Sequence, residues 1–361
     1  MSDLNNLTIV IPTYNREQII RKSIKYWESI GVHILVLDGS DQRIFQDGLL
    51  NADSMVAYYS FPRNTSDKVV SGSYHRRMRF AVAHVKTKYV AICADDDYFL
   101  KSGINKALQI LDDKNWIDSV FRPCADYRLV DGDVYWNLEY FGWRDNGFGT
   151  SADVHTRVTR TDRGYINYYS ICRFEKWKDL IQLCFESEFS HSQVNQFLMD
   201  EVGKILLRTA ILDDLFYIRQ YNDPLKYHSE GISLGDWLTD DKNSKEVERI
   251  KLILRRALTL ADGVRDFDRV IDFIFSFYTS GFRGFLNKAT ANFQKQFYWV
   301  PQSWKTKINR ILPRRFSFAL GYRGKVHTPN GLHLVEFKKI LEDNHIPFDS
   351  NELDELADAL I

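Results

Sequence analysis

The sequence predicts an α/β fold: a Rossmann-type, mostly parallel sheet flanked by helices, followed by a helical C-terminal extension. Short apolar runs alternate with stretches of helical spacing through roughly the first 110 residues, the pattern of βαβ units. The runs are continuously apolar, as strands covered on both faces are. The composition then shifts after about residue 240, where helical spacing gives way to a basic, aromatic stretch.

Residues 7–11 form the first run, which stops at Pro12. Asn15 is placed to cap a helix reaching Ile30, and Gly31 to end it. Residues 33–37 form a second run, closed by the turn-forming Asp38-Gly39-Ser40-Asp41. Residues 54–59 read as a third strand, 69–85 as a helix, 89–93 as a fourth strand and 102–111 as another helix. The middle is less regular. Residues 119–130 are strand-like, 135–150 form a Gly- and aromatic-rich loop of binding-site character, 174–185 and 192–207 are helical, and 215–219 form a short strand. Residues 245–260 make an amphipathic helix, and the tail from Glu336 is acidic and helical.

The 361 residues carry 48 basic and 48 acidic side chains, so no overall charge draws the chain to nucleic acid. Cys93, Cys124, Cys172 and Cys184 lie far apart without C-x-x-C spacing and read as reduced, partly buried thiols of a cytosolic protein. The opening Met-Ser-Asp-Leu-Asn-Asn lacks the basic and apolar regions of a secretory signal. No run of about 18 apolar residues exists, so no spanning helix is expected.

The chemistry centres on Asp95-Asp96-Asp97, directly after the buried run 89–93. Adjacent carboxylates repel one another and need neutralising. Mg²⁺ or Mn²⁺ suits such hard oxygen ligands, and an ion there would bridge a diphosphate and stabilise it as it leaves. The alternative is a solvated acidic turn capping the helix near Ser102. Ligands of parallel sheets sit outside the carboxyl ends of the strands, and the clusters 12–15, 38–41 and 95–97 all fall at such ends.

The first 100 residues resemble family 2 type glycosyltransferases of the GT-A fold. Ile9-Val10-Ile11-Pro12-Thr13-Tyr14-Asn15-Arg16 is similar to their opening strand and loop, and Val36-Leu37-Asp38-Gly39-Ser40 to the end of their second strand. Gly72 followed by Arg77 matches their Gly-to-Arg spacing, and Tyr89 through Tyr98 looks like the strand carrying their Asp-x-Asp signature. The resemblance implies that Pro12, Thr13, Tyr14 and Arg16 line the nucleotide base and ribose. Asp38 would accept a hydrogen bond from a uracil-like base, favouring a UDP-sugar; an Asx turn is its alternative. Arg77, with Arg76 beside it, would sit near the diphosphate or orient the aspartates, the alternative being a surface helix charge. Asp95 and Asp97 form the Asp-x-Asp pair for metal and sugar. The commoner pattern has its first Asp where this chain has Ala94, a register that makes Asp96 the metal ligand and Asp95 the middle residue. Asp95, Asp96 and Asp97 therefore all stand as ligands of Mn²⁺ or Mg²⁺.

An inverting transferase also needs a general base. In the resembling family it is usually an Asp upstream of a Gly-Lys segment and a Tyr-x-Arg strand. Gly203-Lys204 and Tyr217-Ile218-Arg219 look like that pair, but counting back reaches His191-Ser192. The candidates are Glu188 and His191 or, with the helix offset, Asp200 and Glu201. The resemblance makes 1–235 a GT-A-like catalytic domain, with a nucleotide-binding half to about 125 and an acceptor half after it, and 236–361 an extension. It implies inverting sugar transfer to a glycan or glycolipid acceptor, in surface polysaccharide or glycolipid assembly. A nucleotidyltransferase is one alternative, opposed by the absence of a Gly-rich phosphate loop near the N-terminus. A catalytically degenerate GT-A module for glycan binding or scaffolding is another.

Residues 273–335 contain no Asp or Glu but ten Lys and Arg, among them Arg283, Lys288, Arg314 and Arg315, interleaved with Phe and Trp. They read as a solvated helical extension, as a dock for an anionic membrane surface, or as a site for an acidic glycan or partner. Nucleic acid ranks last because no recognised motif accompanies the charge. The expected location is the cytoplasm, peripheral on the inner face of the membrane if the stretch docks there.

Overall fold

In the computed structural model, residues 3–49, 55–62, 72–121, 125–138, 147–160, 167–221, 233–261, 263–264, 266–279 and 331–361 are described. Strand β1 (Leu7–Thr13) is parallel to its neighbours β2 (His33–Asp38) and β5 (Tyr89–Ile92). Beyond β2, β4 (Val56–Ser60) continues in parallel and β3 (Gly48–Leu49) closes that edge antiparallel. Beyond β5, β10 (Ile171–Arg173) runs antiparallel to both β5 and β7 (Ser119–Phe121), and β11 (Thr209–Ile211) is parallel to β7. The order is β11-β7-β10-β5-β1-β2-β4-β3. This is the mostly parallel, helix-flanked sheet that the sequence pattern predicts.

Each strand feeds two cores because successive side chains point to opposite faces. Leu7, Ile9 and Ile11 join one core and Val10 the other; Ile34 and Val36 oppose Leu35 and Leu37; Tyr89 and Ala91 oppose Val90 and Ile92. Burial of both faces is why these strands read as unbroken apolar runs. The first core takes α1 (Glu17–Ile30), α3 (Lys101–Asp113) and the C-terminal helices Leu334–Asp343 and Ser350–Leu360. The second takes α2 (Gly72–His84), α4 (Val154–Arg160), α5 (Phe174–Cys184), α6 (Gln193–Leu206) and the helices Ser244–Leu260 and Phe267–Thr279.

Helix α1 buries Ile20, Ile24 and Trp27, one face at helical spacing, and ends where Gly31 turns left-handed (φ 83°) with its N–H on the Trp27 carbonyl. Its start corrects the expectation from sequence. Arg16 is the N-cap residue and makes no side-chain cap bond, while Asn15 sits one residue earlier at φ 53°. Asn15 is committed to another loop, described below.

A second sheet grows from the residues just after the aspartate run. It comprises β6 (Tyr98–Phe99), β12 (Tyr217–Gln220), β8 (Ala125–Val130) and β9 (Asp133–Leu138). Two expectations change here. Residues 119–130 are two strands in two different sheets, with 122–124 outside the described residues. The start of the expected loop 135–150 belongs to β9, paired with β8 through a two-residue turn in which Asp131 (φ 53°) and Gly132 (φ 90°) both take positive φ. Residues 139–146 lie outside the described residues.

The C-terminal helices pack on this sheet and on α1. Trp136 stacks on Phe337 with ring centres 5.5 Å apart, and Lys22 donates to the Leu360 carbonyl at 3.2 Å. The Glu352 carboxylate accepts the N–H groups of Lys101 and Ser102 (3.1 Å for the latter), so it caps α3. That removes the alternative in which the aspartate run is the acidic cap. Cys93, Cys172 and Cys184 are buried free thiols, and Cys124 lies outside the described residues. Among the described residues no helix is long and apolar enough to cross a membrane. Most of 273–335 lies outside them.

Candidate active site

The carboxyl ends of β1, β2 and β5 are held level. Thr13 lies opposite Asp38 in register, Gly39 N–H donates to the Thr13 carbonyl at 2.9 Å, and Cys93 N–H donates to Val10 at 3.0 Å. Arg77 braces this rim from below. Its Nη1 donates to the carbonyls of Thr13 (2.7 Å) and Leu37 (3.0 Å), joining the ends of two strands. Gly39 permits that approach, since a Cβ there would stand 2.9 Å from the Arg77 Cζ. Burial draws the guanidinium below its usual pKa, while the charges of Asp38 and Asp95 pull it back up. Arg76, one position earlier, is exposed.

The loops after β1 and β2 are tied together. Asn15 N–H donates to Ser40 Oγ at 2.7 Å, its side-chain amide donates to Asp41 at 2.9 Å, and Asp41 N–H donates back to Asn15 Oδ1 at 3.1 Å. The left-handed turn at Asn15 aims its amide at Asp41, which accounts for its absence from the helix cap. Asp38 is fully buried. One carboxylate oxygen accepts from the backbone and hydroxyl of Ser40, and the other accepts from the Tyr58 hydroxyl. Burial and this bond push the Tyr58 hydroxyl up to about 12. The Asx-type contact weighed from sequence is thus present, extended by Tyr58 from the neighbouring strand β4. Pro12 and Tyr14 are half-buried on the same rim.

Asp95, Asp96 and Asp97 are all buried, at 3%, 4% and 3% exposure, which excludes a solvated turn. They point to different partners. Thr13 Oγ1 donates to Asp95 at 2.6 Å. Arg16 spans its two neighbours, with Nη1 2.6 Å from Asp95 Oδ1 and Nη2 2.6 Å from Asp96 Oδ2. Asp97 turns toward the second sheet, where it accepts from the Tyr217 hydroxyl and from Gln220 N–H at 2.9 Å. Burial pushes Asp95 up to about 6, against the pull of Thr13 and Arg16, and Asp97 up to about 8. Tyr127 donates to the Asp96 carbonyl at 2.8 Å, and Arg219 pairs with the buried Asp126 at 3.1 Å in the adjoining strands. Tyr169 stacks on Tyr217 with ring centres 4.8 Å apart. Tyr58, Tyr127 and Asp126 carried no motif in sequence; Tyr217 was visible as part of Tyr-Ile-Arg, without its bond to Asp97.

The four base candidates occupy different environments. Glu201 is buried in an ion pair with Lys204 at 2.8 Å and accepts from Tyr278 at 3.1 Å. His191 is buried, takes Gln193 N–H on Nδ1 at 3.2 Å and packs its ring 5.7 Å from that of Trp237. Asp200 is half-buried on α6, and Glu188 is exposed. The Glu188 charge acts on His75, in the turn of α2 that precedes Arg77.

The aspartates as they stand do not fit a divalent ion. Arg16 already holds Asp95 and Asp96, Asp97 is bonded to Tyr217 and Gln220, and among the described residues no group of three His, Cys, Asp or Glu is arranged to hold a metal. A groove of about 950 Å³ opens at the opposite, amino end of the strands, beside Asn6, Lys86, Lys88, Asn115 and Arg173. There Lys88 pairs with Asp112 at 2.6 Å and Arg173 donates to the Ile117 carbonyl at 2.8 Å. The carboxyl rim remains the place where a parallel sheet receives ligands.

The chain matches no protein-family description and no curated protein. Among solved structures it is similar to S. aureus TarS. The TarS 1–349 structure shares 16% identity over 81% of this chain and 77% of that one, with a TM-score of 0.45. The same protein in complex with UDP-GlcNAc matches at 16% identity over 81% and 78%, also with a TM-score of 0.45. The longer TarS structure matches over 87% of this chain and 50% of that one, at 16% identity and a TM-score of 0.44. At these values neither activity nor site residues transfer from TarS to this chain.

Proposed function

We propose that this chain is a glycosyltransferase: the rim binds a nucleoside-diphosphate sugar and passes the sugar, with inversion, to a hydroxyl of a glycan or glycolipid. The observation that carries this reading is the convergence of the loops after β1, β2 and β5 on one buried set of carboxylates, with Arg16 among them. Buried charge gathered at the carboxyl rim of a parallel sheet is a feature that stability alone disfavours. In the reaction the acceptor oxygen attacks the anomeric carbon, the bond to the diphosphate breaks in line, and a base takes the acceptor proton. Arg16, with its side chain 30% exposed, is the cation placed to meet charge growing on the leaving diphosphate. Glu188 is the base to test first, because it alone of the four candidates is exposed. A UDP-sugar is the first donor to test, since the loop 12–16 with Asp38 resembles the uracil-binding end of the family named above. Surface polysaccharide or glycolipid assembly is the setting this activity suits.

The test is incubation with a panel of nucleotide sugars, with and without Mn²⁺ or Mg²⁺. Release of nucleoside diphosphate is the expected result. Pyrophosphate release from a sugar phosphate and a nucleoside triphosphate would instead make the chain a nucleotidyltransferase. The second reading is a degenerate module, which the occupied Asp95–Asp96 pair favours; its outcome is glycan binding without turnover. Glu188→Gln is expected to lower turnover about 10²-fold or more with donor affinity kept. If Glu188→Gln is silent while Asp200→Asn is not, the base lies on α6.

The basic stretch 273–335 is proposed to dock on anionic membrane surfaces. Sedimentation with anionic vesicles at low ionic strength, and release on adding salt, is expected. Equal sedimentation with neutral vesicles would remove the idea.

A further inference from the structure

We propose that Arg16 is the resident cation of the Asp95–Asp96 pair, and that a divalent ion reaches those carboxylates only when the guanidinium leaves. Each of the two carboxylates offers one oxygen to a separate nitrogen of the same guanidinium at 2.6 Å. Both carboxylates are almost wholly buried, whereas the arginine is partly exposed. The charge that the buried pair requires therefore comes from the protein itself. The backbone of Arg16 is positioned for this by its neighbour, since the left-handed turn at Asn15 and its bonds to Ser40 and Asp41 fix the loop just before the arginine. Asp97 does not compete for the guanidinium, being held by Tyr217 and Gln220 on the other side.

Two cations on one carboxylate pair repel, so occupancy by Arg16 and by a divalent ion is mutually exclusive, and each weakens the other by the same factor. Arg16 is thus a selectivity device as well as a counter-charge: the unliganded protein is kept from loading metal.

The proposal does not depend on the transfer reading, because its test uses Mn²⁺ alone with no nucleotide present. Mn²⁺ binding is measured by calorimetry or by the loss of its free electron-spin signal. Arg16→Gln is expected to bind Mn²⁺ about tenfold or more tightly than the parent chain. In chelator, Arg16→Gln is expected to melt below the parent, and Mn²⁺ is expected to raise its melting temperature while leaving the parent unmoved. Adding Asp95→Asn to Arg16→Gln should abolish both the tighter binding and the shift. Arg16→Lys, which keeps a positive charge, should stay close to the parent. Equal Mn²⁺ affinity in the parent and Arg16→Gln, whether tight or absent in both, would overturn the proposal, as would a melting shift that survives Asp95→Asn.

Discussion

Replacing Arg77 by Met is expected to lower the free energy of unfolding by about 3–5 kcal/mol. The side chain is 5% exposed and bonds the carbonyls that end β1 and β2. Its charge also lies beside those of Asp38 and Asp95. Met fills a similar volume but leaves two buried carbonyls with one donor fewer and removes a positive charge from beside Asp38 and Asp95. Lys restores the charge as a single point rather than a planar fork, so Arg77→Lys should recover only part of the loss. Arg76 is exposed on the same helix, and Arg76→Met should change stability by no more than about 0.5 kcal/mol. Urea denaturation of the three variants checks this. A loss of under about 1 kcal/mol in Arg77→Met would mean that the bonds to the strand ends are not what holds the rim together.

Asp95→Asn is expected to do the opposite: turnover of a nucleotide sugar should fall about 10²–10³-fold, while stability in acid, where the carboxyl is protonated, changes by about 1 kcal/mol or less. Burial holds the folded-state pKa of Asp95 up at about 6, above its ordinary 3.8. Between those values the folded chain binds more protons than the unfolded chain, so stability falls as pH rises through that window and does not recover above it. Asparagine removes that pH-dependent loss and still offers an oxygen to Thr13 or Arg16. The parent should therefore lose stability between pH 4 and 6 relative to Asp95→Asn, with the two converging in acid. Retained turnover in the variant would sink the assignment of Asp95 to the reacting site. A stability loss above about 3 kcal/mol would make the carboxylate a structural group.

Much of this protein is legible in one dimension. The apolar runs at 7–11, 33–37 and 89–93 became β1, β2 and β5 because burial on both faces favours apolar side chains at nearly every position inside them. Their ends marked the rim, and with it Thr13, Asp38 and Asp95 as neighbours, because a parallel sheet brings every such end to the same side. The regular helices followed from spacing and from breakers such as Gly31.

What the sequence could not assign is which group answers which. Arg16 reaches Asp95 across 79 residues, and Tyr217 reaches Asp97 across 120. Both pairings depend on strand order and on a second sheet whose short strands have no periodic signature. Asn15 looked like a helix cap because its local preference allows it; a bond to Asp41, available only once β1 and β2 lie side by side, decided otherwise. Glu352 caps α3 from 250 residues away. Local patterning therefore determined the strands, the helices and the rim that joins them. Tertiary packing alone decided the charge partners, because a carboxylate's energy is set by the burial and counter-charge around it and not by its neighbours in the chain.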